Sequence, residues 1–372
     1  MSMTAERTRA ALNEPDRLEG FSSPRDVERL YGHEAALAEF SDAFASGRLH
    51  HAWLIVGPEG VGKATLAYRF ARTVLAEGER GGAPAAIERD HPVFRKVASL
   101  SHPNLLLIRR SWVERSKRYS QWIGVEEVRR LRAFLGHSAG EEGWRVVIVD
   151  RADELNQNAA NALLKALEEP PPRTLFLLVA SAEGKLPVTI RSRTRTLRVT
   201  GLGDEALEGA VRAALERDEH ETDEATLRPA LALSQGSVRR ALELVSSGGI
   251  ELYREVLGGL GALPEIEGPE LHRLVDRLAG AGESARLDLY LALLLGLIER
   301  LIRFTATGMG ATAEERKLAA RLFSPANLAD WAEAWEAISE AKAEADALNL
   351  DRGILLLQSW FRLQQLAREH PV

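Results

Sequence analysis

The chain has 372 residues, 45% of them hydrophobic and 27% charged, with a net charge of −6. That apolar content suffices for two or three domains with their own cores, and the acidic balance excludes a protein that coats nucleic acid through bulk charge. Cysteine is absent, which excludes disulfides and thiolate zinc sites and fits a cytoplasmic setting.

In chain order, residues 1–24 read as a polar, mobile arm without the apolar stretch of a secretory signal. Helical spacing through Leu37, Phe40 and Phe44 predicts a helix. The run "AWLIVG" predicts a strand, followed by the glycine-rich turn "GPEGVGK" and the helix "ATLAYRFARTVLAEG". Between Gly78 and Asn104, Gly, Pro, Ala and charge mark an excursion from the sheet. Strands return as "NLLLIRR", "WRVVIVD" and "TLFLLVAS", alternating with the helical stretches "VEEVRRLRAFLGH" and "NQNAANALLKALEEP". The second of these should start at Asn156 as N-cap and stop by Pro170 to Pro172. Such alternation predicts a mostly parallel sheet covered on both faces.

After Val199 the strand signal ends. A small helical module reads through "GSVRRALELVSSGG" and breaks near Gly248 and Gly249, and everything beyond residue 250 reads as helix. The expected fold class is therefore α/β followed by all-α. The longest apolar run, Leu289 to Ile298, lies between Asp288 and Glu299. It has about half the ~20 residues needed to cross a bilayer, so it predicts a buried helix and no membrane contact.

The glycine loop nearly spells a phosphate-binding site. Gly57, Gly60, Gly62 and Lys63 supply the backbone cradle and the lysine that reaches the phosphates. The next residue, which should be a hydroxyl holding Mg²⁺, is Ala64. Thr65 comes one place late, and one step along a helix turns a side chain by about 100°. The loop is thus a cradle with an impaired metal grip, and by itself it leaves ATP binding open.

A second position departs in the same direction. The apolar run Val146 to Val149 leads to Asp150, placed to orient a metal, but the next residue is Arg151 where a base would activate water. Arginine accepts no proton at cellular pH. Asp153 and Glu154 follow and are expected to point away from the strand tip. Two lost functions favour a chain that does not hydrolyse ATP by itself.

The segments "GRLHHAWLIVGPEGVGKATLAYRFAR", "NAANALLKALEEPP", "KLPVTIRSRTR" and "GSVRRALEL" together resemble bacterial clamp-loader subunits of the AAA+ class, over about residues 25–245. The departures at Ala64 and Arg151 are similar to the delta-prime branch of that family, as is the C-terminal "AEADALNLDRGILLLQSWFRL". The motor branch, gamma/tau, keeps Gly-Lys-Thr and Asp-Glu. The resemblance implies an AAA+ nucleotide-binding-like domain over residues 25–200, a helical lid over 201–248 and a helical collar over 249–372. It also implies gamma/tau and delta subunits as partners, and contact with the sliding clamp and primer-template DNA through the assembly.

On the same basis Ser192, Arg193 and Thr194 stand where the family has Ser-Arg-Cys. Arg193 is then an arginine finger acting in trans, Ser181 takes the first sensor position, and Arg239 takes the second. Ser181 and Arg239 would equally serve to fix the angle between domain and lid. No cofactor is required, and occupancy of the loop by ATP or ADP stays open. Many family members carry a four-cysteine zinc module; here only His91 and His102 remain in that region, too few to close a tetrahedral site, so no zinc is expected. Arg109, Arg110, Lys117 and Arg118 are basic candidates for DNA contact, and Trp331, Trp335 and Trp360 read as core and collar packing. A motor-type ATPase using Lys63, Thr65, Asp150 and a base recruited from elsewhere is the alternative.

Overall fold

In a computed structural model the described residues are 14–15, 17–76, 87–115, 118–136, 143–280, 284–348 and 350–370. The chain divides into two units, Met1–Glu243 and Leu244–Val372.

The first unit is built on strands β1 (Ala52–Val56), β2 (Leu105–Ile108), a two-residue hairpin β3 (Trp112–Val113) and β4 (Arg118–Tyr119), then β5 (Arg145–Val149), β6 (Thr174–Ala180) and β7 (Arg195–Arg198). Five of them form one parallel sheet in the order β2-β5-β6-β1-β7, with Leu54 beside Leu178 and Leu105 beside Val146. The central strands β1 and β6 are buried along their whole length, as expected where helices cover both faces. Edge strand β2 alternates buried and less buried positions, and edge strand β7 buries only Leu197.

Alternation sorts the strand residues between two cores. Trp53, Ile55, Val146, Ile148, Leu175 and Leu177 pack with residues of α1 (Glu34–Ala45), α2 (Lys63–Leu75) and α3 (Pro92–Ala98). Leu54, Val147, Val149, Phe176 and Leu178 pack with α4 (Val125–Gly136) and α5 (Gln157–Glu168). Helix α5 begins as its sequence requires, with the Asn156 side chain accepting from Ala159 N–H at 2.8 Å. The short helix α6 (Val188–Arg191) precedes β7, and α7 (Asp204–Arg217), α8 (Glu224–Leu233) and α9 (Val238–Ser246) follow it. The unit boundary falls inside α9, so residues 201–243 of the expected lid group with the sheet and the end of α9 does not.

The structure corrects the arm expected through residue 24. Residues 1–13 lie outside the described residues, but Phe21 is buried and Ser22 N–H donates to Asp218 Oδ2 at 3.0 Å. Glu14 pairs with Arg25 and with Arg109, the latter at 3.1 Å. This stretch is packed because Phe21 is buried and Glu14 is paired with Arg25 and Arg109. The hairpin β3–β4 and the edge strand β7 carry too little apolar periodicity to be legible in sequence.

The second unit comprises α10 (Gly249–Ala262), α11 (Gly268–Leu278), α12 (Ser284–Thr307), α13 (Ala313–Leu322), α14 (Leu328–Leu348) and α15 (Arg352–Glu369). The apolar run Leu289 to Ile298 lies in α12, with Leu291, Leu294 and Leu297 fully buried. Trp331 and Trp360 are buried, and Trp335 donates its indole N–H to the Leu295 carbonyl at 3.0 Å. Among the described residues no helix is long and apolar enough to cross a membrane.

Candidate functional site: a phosphate-loop cleft with a resident arginine

Strand β1 ends at Val56 and the chain turns through the glycine loop into α2. Gly60 and Gly62 hold φ values of 73° and 103°, a left-handed backbone that side chains resist. A Cβ on Gly60 would also lie 2.3 Å from Ser237 Oγ and 2.5 Å from Arg239 Cβ. The loop is therefore packed against the start of α9. Ser237 Oγ donates to the Glu59 carbonyl at 2.9 Å, and Arg239 N–H donates to the Gly60 carbonyl at 3.2 Å. No side chain caps the N-terminus of α2, so its first-turn N–H groups and positive dipole end remain available to an anion.

Lys63 is only 7% exposed, and its Nζ donates back to the Gly57 and Pro58 carbonyls at 2.7 and 2.5 Å. Burial lowers its pKa; Glu59 and Asp153 oppose that shift, and the nearby Arg151 adds to it. Two cations thus converge on the loop.

Arg151 arrives there because of a backbone turn. Asp150, 7% exposed, closes β5 by donating its N–H to the Ile108 carbonyl at 2.9 Å. Arg151 then adopts φ 57°, ψ 58°, and a 3₁₀ turn follows over Ala152–Glu154. The guanidinium pairs with Glu154 at 2.7 Å and reaches across to Glu59 of the loop at 2.5 Å. Burial opposes its charge, but Glu59, Glu154 and Asp150 outweigh that and hold its pKa above the ordinary value.

The same turn corrects the expectation that Asp153 and Glu154 point away. Both line the cleft, because the left-handed residue folds the chain back over the strand tip. Asp153 Oδ2 accepts from Ser181 N–H at 3.1 Å and also from Ser181 Oγ–H. Ser181, expected at a sensor position, is thus engaged by a carboxylate.

These groups surround a cavity of about 910 Å³. Its polar lining includes Gly60, Gly62, Lys63, Thr65, Asp150, Arg151, Ser181 and Arg239; apolar lining comes from Val27, Leu30, Tyr31, Leu202 and Leu242. Buried Arg72 fixes one wall by donating to the Val27 carbonyl at 2.9 Å while lying 4.4 Å from the Phe94 ring centroid. Burial, with Arg69 alongside, pushes its pKa down to about 10. Arg239 pairs with Glu243 of its own helix at 2.8 Å. Gly57 is required on the other side, since a Cβ there would lie 2.2 Å from the Val199 carbonyl.

Arg193 is not part of this lining. It follows α6, is 36% exposed, pairs with Glu168 at the end of α5 at 2.8 Å and donates to the Thr189 carbonyl at 3.0 Å. Ser192 Oγ donates to the same carbonyl at 3.1 Å. Of the basic candidates for DNA contact, Arg109 pairs with Glu14 and Arg110 with Glu154 at 3.0 Å, while Lys117 lies outside the described residues. His91 accepts from Val93 N–H and caps α3, and His102 accepts from Asn104 N–H. Among the described residues no group of three or more metal-ligating side chains is placed to hold an ion. Sequence reasoning missed Glu59 and Ser237, whose partners lie 92 and 178 residues away and leave no local signal.

A glycine loop at the carboxyl edge of a parallel sheet, with one strand (β6) between the loop strand and the strand that leads to Asp150, defines a phosphate-loop α/β fold. Residues 32–202 match the model of the family described as "DNA polymerase III, delta subunit". The delta' subunit of DNA polymerase III from Pseudomonas aeruginosa is 33% identical over 57% of this chain and 61% of its own length. The gamma subunit from Buchnera aphidicola is 28% identical over 60% of this chain and 58% of its own. Over its matched part the chain is similar to the delta' and gamma subunits of DNA polymerase III. The chain spans about three fifths of the length of these curated relatives. The match to a solved gamma subunit-related protein from Thermotoga maritima covers 86% of this chain and 95% of that one at 18% identity, with a TM-score of 0.37.

Proposed function

We propose that this chain is a non-hydrolysing subunit of a bacterial replicative clamp loader that helps place the sliding clamp on primer-template DNA. In this reading residues 25–200 are the nucleotide-binding-like domain, 201–248 the lid and 249–372 an oligomerising collar. Gamma/tau and delta subunits are its cytoplasmic partners. The observation that carries the reading is Arg151, which holds the position of the water-activating base and is bound to Glu59 of the loop. A guanidinium cannot take the proton of an attacking water. Ala64 likewise offers no side-chain oxygen to Mg²⁺, so the loop does not fit that ion.

Arg193 supports the second half of the reading. It lies outside the chain's own cleft and is partly exposed, as a residue serving a neighbour's γ-phosphate must be. In this role it leaves Glu168 and stabilises charge developing on the transferred phosphoryl group, an effect worth about 10³–10⁵ in rate in well-studied hydrolases. The purified chain should show no ATP turnover. In a reconstituted loader, Arg193→Ala should slow DNA-stimulated ATPase by at least about tenfold. Normal turnover in that mutant assembly would remove the finger role, and hydrolysis by the isolated chain, abolished by Lys63→Ala, would establish the motor-type alternative.

A further inference from the structure

A phosphate loop ordinarily shares the charge of its nucleotide with Mg²⁺, held through the hydroxyl that follows the lysine. Here that residue is Ala64, and the cation delivered to the cavity belongs to the protein itself. Arg151 is fixed from both sides, by Glu154 at 2.7 Å and by Glu59 at 2.5 Å. The two carboxylates differ. Glu154 is 20% exposed and also pairs with Arg110, whereas Glu59 is 61% exposed and sits on the glycine loop. An exposed partner gains little from the pair and is readily hydrated on release. Glu59 thus occupies an anion position that a phosphate can take over, while Glu154 keeps the guanidinium in place.

The rest of the cavity fits the same ligand. Lys63 is held by two carbonyls, both weaker partners than phosphate oxygen, and the uncapped α2 N-terminus adds positive potential. The volume of about 910 Å³ accommodates a ligand of nucleotide size, with apolar lining from Leu30, Tyr31 and Leu242 for a base. We propose that this cleft binds a nucleoside di- or triphosphate without a divalent cation, Arg151 taking the charge-neutralising place of the metal and Glu59 being the group that the phosphate displaces. This is a binding role without hydrolysis, and it stands apart from the loader reading because it is measured on the isolated chain.

The test is calorimetric titration of ADP and of ATP into the full chain, once in EDTA and once in excess Mg²⁺. The expected result is binding in EDTA at least as tight as in Mg²⁺. Arg151→Gln should weaken the EDTA affinity about tenfold or more, as loss of a charge-assisted contact does, while Glu59→Gln should tighten it. The opposite directions separate a specific effect from misfolding, and Glu59→Gln preserves size at an exposed site. No binding of either nucleotide in EDTA, binding only with Mg²⁺, or parental affinities in both variants would overturn the proposal.

Discussion

In the helical unit Arg300 and Glu315 pair at 2.8 Å with side chains 4% and 1% exposed, whereas in the sheet unit Arg151 and Glu59 pair at 2.5 Å with side chains 36% and 61% exposed. Glu315 is saturated: it accepts from Tyr253 Oη–H at 2.9 Å and from Thr312 N–H at 2.8 Å, completing the capping box of α13. Burial and the adjacent Glu315 hold the Tyr253 hydroxyl above its ordinary pKa. Such a sealed network fixes how helices pack, and no ligand can exchange into it. The pair at the loop faces a cavity and keeps one replaceable partner. The same two residue types therefore specify structure in one unit and offer a binding position in the other, and solvent access decides which.

Breaking the sealed pair should have the largest effect. Glu315→Ala leaves the Arg300 charge buried and uncompensated, which costs about 3–5 kcal/mol. Denaturant unfolding of the full chain should show this loss in the transition of the helical unit, and Glu59→Ala should shift stability by less than about 0.5 kcal/mol. Equal losses from both changes would erase the contrast. Gly60→Ala comes next, since it forces a side chain into φ 73° and against Ser237 and Arg239. It should cost about 1–3 kcal/mol in the melting of the sheet unit and separate the loop from α9.

The smallest expected effect is acidic loosening of residues 17–25. Burial opposes ionisation of Glu14 and Asp218, but Arg25 and Arg109 outweigh it at Glu14, and Ser22 and Arg217 do so at Asp218, so both folded pKa values are lowered. Their contribution is complete above the unfolded carboxylate pKa and is lost as pH falls through the lower folded values. Amide exchange in residues 17–25, corrected for intrinsic rates, should accelerate below about pH 4 relative to β1 and β6. Unchanged relative protection would show that Phe21 alone holds the segment.

Much of the sheet unit was legible because its signals are local. The strands of "AWLIVG", "WRVVIVD" and "TLFLLVAS" are short apolar runs, and Asn156 caps α5 from the adjacent residue. Edge strand β7 was not legible, since Arg195 and Arg198 flank its one buried residue, Leu197. The packing of Phe21 escaped notice because Ser22 and Gly20 find their partners in Asp218 and His220, nearly 200 residues away in sequence.

Sequence by itself determined the chemistry that each position offers: a cradle of glycines and Lys63, no hydroxyl at Ala64, and no base at Arg151. Those are properties of side chains and hold in any conformation. Only the tertiary structure decided where Arg151 points, that Glu59 receives it, and that Arg193 lies outside the cleft with Glu168. The reason is physical: a left-handed turn of one residue and contacts spanning 92 positions set these directions, and neither leaves a trace in local composition.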